Sequence, residues 1–392
     1  MTVTPLSTSG RWIVDANGQR VKLAGVNWPG AHEDDMVPSG LDYRNRNEIA
    51  RQIAGWGFNS VRLTFAVRTV TVTSQANPGL LAANRDLIGQ TPWGVFQAVV
   101  RALTGQGLIV IPNCHMLFAG WCCSTADNNG LWYNDNWPAS RFQTAWQTIA
   151  TAFAHNPLVA AYDIKNEPRN ATIGGTVRTP TWGDGNTATD FRLMYQQIGN
   201  LIHQRDPDAL IICEGLSYAA SLTGVPANPV RLTHPNKVVY SGHDYPWFGH
   251  AANQSQADYL NQMHTNLGQV MDPGSWQAPL WLGEFGVDNQ SPSILDPGIP
   301  RGASSPYNAG TANWWQNVTA WLAQTDADWC YWHLGGTHVK GTEPVTNRLI
   351  YSKDDRCGDG VFAQDWQGPS SPHLLAALQK LQHASSGLGV RG

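Results

Sequence analysis

The sequence predicts an α/β fold: a closed (β/α)8 TIM barrel with an N-terminal β-hairpin and long loops on its C-terminal face. Three observations lead there. Eight short, near-continuously apolar runs recur along the chain, the pattern of strands in a parallel sheet buried on both faces. Between them lie stretches with apolar residues three and four apart, the helical period. Nothing in the 392 residues divides them, neither repeat, charge block nor low-complexity linker, so 1–392 read as one barrel domain.

The elements follow in order. Residues 11 to 26 hold two apolar-patterned runs around Asn17-Gly18, a dipeptide suited to a type I′ hairpin turn because both central positions need positive φ. The strand candidates are Lys22 to Val26, Ser60 to Leu63, Leu108 to Pro112, Val159 to Ile164, Ala209 to Cys213, Val238 to Ser241, Leu280 to Gly283 and Asp328 to Trp332. Helical periodicity marks Arg46 to Trp56, Val95 to Gly105, Arg141 to Ala154, Asp190 to Arg205 and Ala312 to Ala323. Segments 116 to 139, 168 to 188, 285 to 310 and 333 to 360 are rich in Gly, Asn, Pro, Thr and Trp, and each follows a strand. In a barrel such loops build the active site.

Composition excludes several partners. Only 14% of residues are charged and the net charge is -4, so no attraction to nucleic acid or an anionic membrane is expected. No apolar run approaches the roughly 18 residues needed to span a bilayer. Eighteen Trp are more than a core readily houses with every N–H partnered, so some are expected to face a ligand. Trp28, Trp121, Trp132, Trp137, Trp182 and Trp247 fall in loops after strands; Trp12, Trp146 and Trp321 read as packing residues. The six cysteines lack zinc-type spacing. Cys122 and Cys123, adjacent, are expected to staple separate distant segments. A disulfide implies an oxidising compartment, so the protein is expected to be secreted, with its export signal absent from a chain that opens Met1-Thr2-Val3-Thr4.

The strand ends carry the chemistry. The second ends near Arg62, the third at His115, the fourth in Asn166-Glu167-Pro168 and the sixth in His243-Asp244-Tyr245. The seventh closes in Gly283-Glu284-Phe285-Gly286, the eighth in Tyr331-Trp332-His333. A single Glu after a strand is ordinarily a solvated or capping carboxylate. Two on one rim, with Arg, two His and Tyr, form a constellation of the kind barrel enzymes draw from several strands. Paired carboxylates serve glycoside hydrolysis, one protonated to donate to the leaving oxygen, the other ionised to attack the anomeric carbon. The neighbours must separate their pKa values. Arg62 and the Tyr245 hydroxyl beside Glu284 would hold it as the anion, leaving Glu167, in a more apolar setting, as the acid.

These residues resemble glycoside hydrolase family 5, of the clan of retaining β-glycosidases. The resemblance rests on Asn166-Glu167-Pro168, Gly283-Glu284-Phe285-Gly286, Arg62 in Asn-Ser-Val-Arg-Leu and His243-x-Tyr245, and runs from about Arg11 to about Gln367. Gly120-Trp121-Cys122-Cys123-Ser124 is similar to cellulase-like members of its plant and actinomycete branch. The resemblance implies Glu167 as acid/base and Glu284 as nucleophile. It implies that Asn166 binds the sugar 2-hydroxyl, that Arg62 and Tyr245 support the nucleophile, and that His115 and His243 line the subsite at the cleaved bond. Trp332 would be the sugar platform, with a cis bond to His333; Trp28 and Trp121 join it as candidate substrate-binding residues. No cofactor is expected.

Other readings are weaker. His115, His243, His333 and His338 lack carboxylate or Cys partners at ligand spacing, so no metal is expected. Ser217 and Ser241 lie in no Gly-x-Ser-x-Gly elbow. Glu214, ending the fifth strand, reads as a structural carboxylate within the barrel mouth. The expected activity is double displacement on a β-linked glucoside or oligosaccharide by a monomeric enzyme. Endo-β-1,4-glucanase or β-glucosidase action leads, with a disaccharide-releasing diglycosidase on plant glycosides as the alternative. A non-catalytic carbohydrate-binding barrel would lack one rim Glu, and both are present.

Overall fold

The computed structural model describes residues 4–124, 126–249, 254–287, 306–336, 339–342, 349–351 and 359–383. A hairpin, β1 (Ser7–Ser9) and β2 (Trp12–Val14), precedes the first barrel strand, β3 (Ala24–Trp28). There follow α1 (Arg46–Gly55), β4 (Ser60–Ala66), α2 (Val67–Thr71), α3 (Pro92–Thr104), β5 (Ile109–Met116), α4 (Ala139–Phe153) and β6 (Ala161–Asp163). A surface hairpin, β7 (Ala171–Ile173) and β8 (Thr176–Arg178), leads to α5 (Phe191–His203), β9 (Leu210–Glu214), β10 (Val238–Asp244) and α6 (Gln256–Asn266). The chain continues through β11 (Leu280–Phe285), α7 (Pro306–Thr325), β12 (Asp328–Tyr331), the pair β13 (Val339–Thr342) and β14 (Leu349–Tyr351), and α8 (Pro372–His383). The strands β3, β4, β5, β6, β9, β10, β11 and β12 close into one barrel, every neighbouring pair parallel. All eight sequence-predicted strands are therefore present, in the predicted order.

Alternation along each strand decides which side chains reach the barrel axis, because successive residues point to opposite faces. In β5, Val110 and Cys114 join the outer cluster packed under the helices, while Ile109 and Ile111 join the inner one. Asn113 and His115 continue the inner set. In β9, Ile211 and Cys213 go outward, and Leu210 and Ile212 inward, with Glu214 next in the inner series. In β4, Val61, Leu63 and Phe65 face outward, leaving Arg62 inside.

The interior is layered from the N-terminal end. Leu6, Ile13, Val21 and Leu23, from and around the first hairpin, pack onto Ile109, Ile111, Leu210, Ile212 and Val239 and close that end with apolar side chains. Trp281 fills the next level, with the Arg62 guanidinium carbon 6.0 Å from its ring centre. Polar side chains begin there.

The strands run further than their apolar stretches suggest: β4 continues to Ala66, β5 to Met116 and β10 to Asp244. The polar members of those extensions, Asn113, His115 and His243 among them, face the barrel mouth, and the strands stay paired there. The cysteines also depart from expectation. Cys122 and Cys123 are in contact with each other across a cis peptide bond, with Cα atoms 3.1 Å apart, so neither staples a distant segment. Cys114, Cys213 and Cys330 are buried and free; Cys357 and His338 lie outside the described residues.

Candidate active site

Arg62 is the hub. Fully buried on β4, it spends all five N–H donors. Nε donates to Asp163 Oδ2 at 2.7 Å, Nη1 to Asn27 Oδ1 at 2.9 Å and Glu284 Oε1 at 2.5 Å, and Nη2 to Asn166 Oδ1 and Glu214 Oε1, each at 2.8 Å. One cation thus faces three carboxylates. Their charge raises the Arg62 pKa despite burial, so it stays ionised. Burial, with Asp163 beside it, pushes Glu214 well above the usual carboxylate range.

The two rim carboxylates are set differently. Glu284, ending β11, accepts from Arg62 on one oxygen and from the Tyr245 hydroxyl at 2.8 Å on the other. Burial raises its pKa, opposed by His243, Arg62 and the Tyr245 hydrogen bond. Glu167 follows β6, and its carboxylate meets His243, Nδ1 to Oε1 3.0 Å. Burial pushes Glu167 up to about 7. His243 Nδ1 also lies 3.6 Å from Glu284 Oε2, so the ring stands between the two carboxylates. Burial pulls His243 down to about 4, so the ring is neutral around pH 7. The reacting-type atoms of Glu167, His243 and Glu284 all fall within 4.8 Å of one another. A cation could meet those three groups, but the oxygens of Glu284 are already committed to Arg62 and Tyr245.

The remaining predicted residues surround this pair. His115, buried on β5, has Nδ1 2.8 Å from Asn113 Oδ1 and lies against His32, ring centres 4.2 Å apart. Burial first, then His32 and Arg62, hold its pKa well below the ordinary value. Its ring stacks on Trp332, centres 5.4 Å apart and planes at 13°. Trp332 is half-buried, and its bond to His333 is cis. Asn166 turns its Nδ2 toward the sulfurs of Cys122 and Cys123, 3.5 Å from each. Trp121 is 58% exposed on the rim, with the His32 ring 6.5 Å away.

Trp28 is the exception. It is fully buried, and its Nε1 donates to the Ser39 carbonyl at 3.0 Å. On β3 it shares the parity of Ala24 and Val26, which pack in the outer cluster; its ring therefore sits behind the barrel wall and touches no substrate space. Of the other loop tryptophans, Trp132 is buried, Trp137 and Trp182 are half-buried, and Trp247 is 56% exposed, stacked on Tyr245 at 4.4 Å.

Sequence reasoning missed Asn27, Asn113, Asp163 and Arg169. The signal for three of them was a polar residue at an axis-facing position of an otherwise apolar strand. Asp163 sits two residues after Ala161 on the inner face. Arg169 gave no such signal. It donates from Nη1 to the Glu167 carbonyl at 2.9 Å and from Nη2 to Asp127 at 2.6 Å.

A closed parallel barrel with two buried, hydrogen-bonded carboxylates on its C-terminal rim defines the class of barrel glycosidases. Comparison with known proteins agrees: residues 14–338 match the family described as cellulase (glycosyl hydrolase family 5). The chain belongs to glycosyl hydrolase family 5, a family of O-glycosyl hydrolases. It is 30% identical over 403 residues to a glycosyl hydrolase 5 family protein of Chamaecyparis obtusa, covering 96% of this chain and 66% of that protein. It is 29% identical over 353 residues to an endoglucanase of Paenibacillus polymyxa, covering 83% and 79%, and 30% identical over 293 residues to the major extracellular endoglucanase of Xanthomonas campestris pv. campestris, covering 71% and 57%. It thus spans about 57 to 79% of these relatives' lengths. Among solved structures, an endocellulase of Pyrococcus horikoshii in complex with cellotetraose superposes with a TM-score of 0.75 at 23% identity, covering 97% of this chain and all of that one. The catalytic domain of the Xanthomonas endoglucanase gives 0.75 at 22%, covering 96% and 99%. Both likenesses speak to the fold.

Proposed function

We propose that the protein is a retaining endo-β-1,4-glucanase in which Glu284 is the nucleophile and Glu167 the acid/base. The observation that carries this reading is the asymmetry of the two carboxylates. Glu284 is held by a guanidinium and a phenol, which favour an anion; Glu167 faces a neutral imidazole and is raised to about 7, which favours the protonated acid. Their closest approach within 4.8 Å suits direct attack, because a retaining pair stands about 5 to 5.5 Å apart and an inverting pair leaves room for water.

In the first step a Glu284 oxygen bonds to the anomeric carbon. The glycosidic C–O bond breaks, and the leaving oxygen keeps its electron pair and takes the proton of Glu167. In the second, Glu167, now ionised, removes a proton from water as the water oxygen attacks that carbon and Glu284 departs. Arg62 and Tyr245 orient Glu284 throughout. Asn166 Nδ2 and the His115 ring face the glycone, Trp332 supplies its platform, and exposed Trp121 extends the aromatic surface along the rim.

The endo reading draws on the relatives named endoglucanases and on the exposed rim aromatics, Trp121 and Trp247. We place the protein outside the cell, by analogy with the Xanthomonas relative named extracellular, acting as a single-barrel monomer without metal. Soluble cellulose derivative should lose viscosity faster than reducing ends appear. Release of an intact disaccharide from aryl or plant diglycosides without viscosity loss would replace the endo assignment with the diglycosidase one. Glu284→Gln should lower turnover roughly 10⁴-fold or more, and equal turnover would remove Glu284 from the mechanism.

A further inference from the structure

Glu214 is a buried carboxylate that takes no step in this mechanism. Its two oxygens have separate duties. Oε1 accepts from Arg62 Nη2 at 2.8 Å, and Oε2 accepts from the backbone N–H of Glu167 at 2.7 Å. That backbone needs holding, because Glu167 has φ 44°, the left-handed region that a non-glycine residue seldom adopts. The same residue is gripped from its other side, where Arg169 Nη1 donates to the Glu167 carbonyl at 2.9 Å. Just before it, Lys165 Nζ donates to the Asn166 carbonyl at 2.8 Å.

We infer that Glu214 is a positioning residue for the acid/base: its carboxylate ties the left-handed backbone of Glu167 to the Arg62 that orients Glu284, so one side chain sets the two reacting carboxylates relative to each other. This rests on the proposed roles of Glu167 and Glu284. A Gln at 214 has one carbonyl oxygen and can serve only one of the two donors, and its NH2 would confront the other. Glu167 then loses its anchor and its carboxyl drifts from the leaving oxygen. Protonation of a leaving group matters when that group is a poor one and hardly at all when it departs readily as an anion.

The test compares Glu214→Gln with the parent on two cellobiosides, one of dinitrophenol and one of a weakly acidic alcohol or phenol. The expected result is a loss of kcat/KM, which reports the acid-assisted first step, of roughly 10- to 100-fold on the poor leaving group. The loss of kcat/KM on dinitrophenyl cellobioside should be several-fold smaller. Equal losses on both substrates, or none, overturn the inference, since a merely structural role weakens both alike. Should Glu214→Gln fail to fold, Arg169→Lys, which loosens the carbonyl side of the same residue, must show the same leaving-group bias, and its absence is equally fatal. Glu167→Gln in parallel separates the two layers of argument. If it shows no leaving-group dependence, Glu167 is not the acid and the proposed function itself falls; if it does and neither other variant follows, only the role of Glu214 falls.

Discussion

At the scale of the residue, the same burial that shifts Glu167 makes two measurable demands. As the acid it must carry its proton, so kcat/KM should fall as pH rises through about 7, the value to which burial pushes it. A pH–rate profile flat through that region would remove Glu167 from the role. Stability carries the same signature. In the unfolded chain a Glu titrates near its ordinary value of about 4.3. Between there and about 7 the folded protein keeps a proton that the unfolded chain has released, so stability falls as pH rises across that window. Glu167→Gln has no charge to bury. Its Tm should therefore gain on the parent's between pH 5 and pH 8, and a gap that does not widen would mean that burial is not what shifts the group. The chemistry of these residues was legible in the sequence because Glu, Arg, His and Tyr are costly to place after apolar strands. Glu214, too, was readable as a mouth carboxylate, but not its hold on the Glu167 N–H, which depends on a backbone twist that no side-chain pattern announces.

At the scale of the element, strand parity decides which aromatic rings are open to the barrel mouth. Trp28 and Trp121 looked alike in the sequence, both in segments following or ending strands. One lies on the outward parity of β3 and the other on an exposed loop. Trp28→Ala should cost about 3 to 5 kcal/mol in denaturant unfolding and leave KM nearly unchanged. Trp121→Ala should leave stability within about 0.5 kcal/mol and raise KM for long glucan chains. The reverse pattern would mean that the ring assignments are exchanged. The rim strand end also limits substitution at Gly286, where an added Cβ would lie 2.3 Å from the Trp332 carbonyl oxygen. Gly286→Ala should therefore weaken binding by moving the Trp332 platform, read as a higher KM. The strands themselves were legible from four-residue apolar runs, yet α6 and α8 were not. Of the eleven residues of α6 only Tyr259 and Met263 are buried, too sparse a stripe to register as helical period.

At the scale of the whole molecule, one packed cluster runs from Ala24 on the first barrel strand to Leu374, Leu378 and Leu381 on the last helix. We propose that the stretch from Ala24 to Leu381 unfolds as one unit, so unfolding followed by tryptophan fluorescence and by far-UV circular dichroism should give coincident single transitions. Divergent transitions would separate the C-terminal helix from the barrel. The layering of the interior has a practical corollary. Because the short hairpin stoppers the end of the barrel opposite the carboxylates, the proposed substrate would reach them from the other face. Anchoring the protein to a bead or a scaffold through residues near that hairpin should leave catalysis untouched, with the working face turned outward.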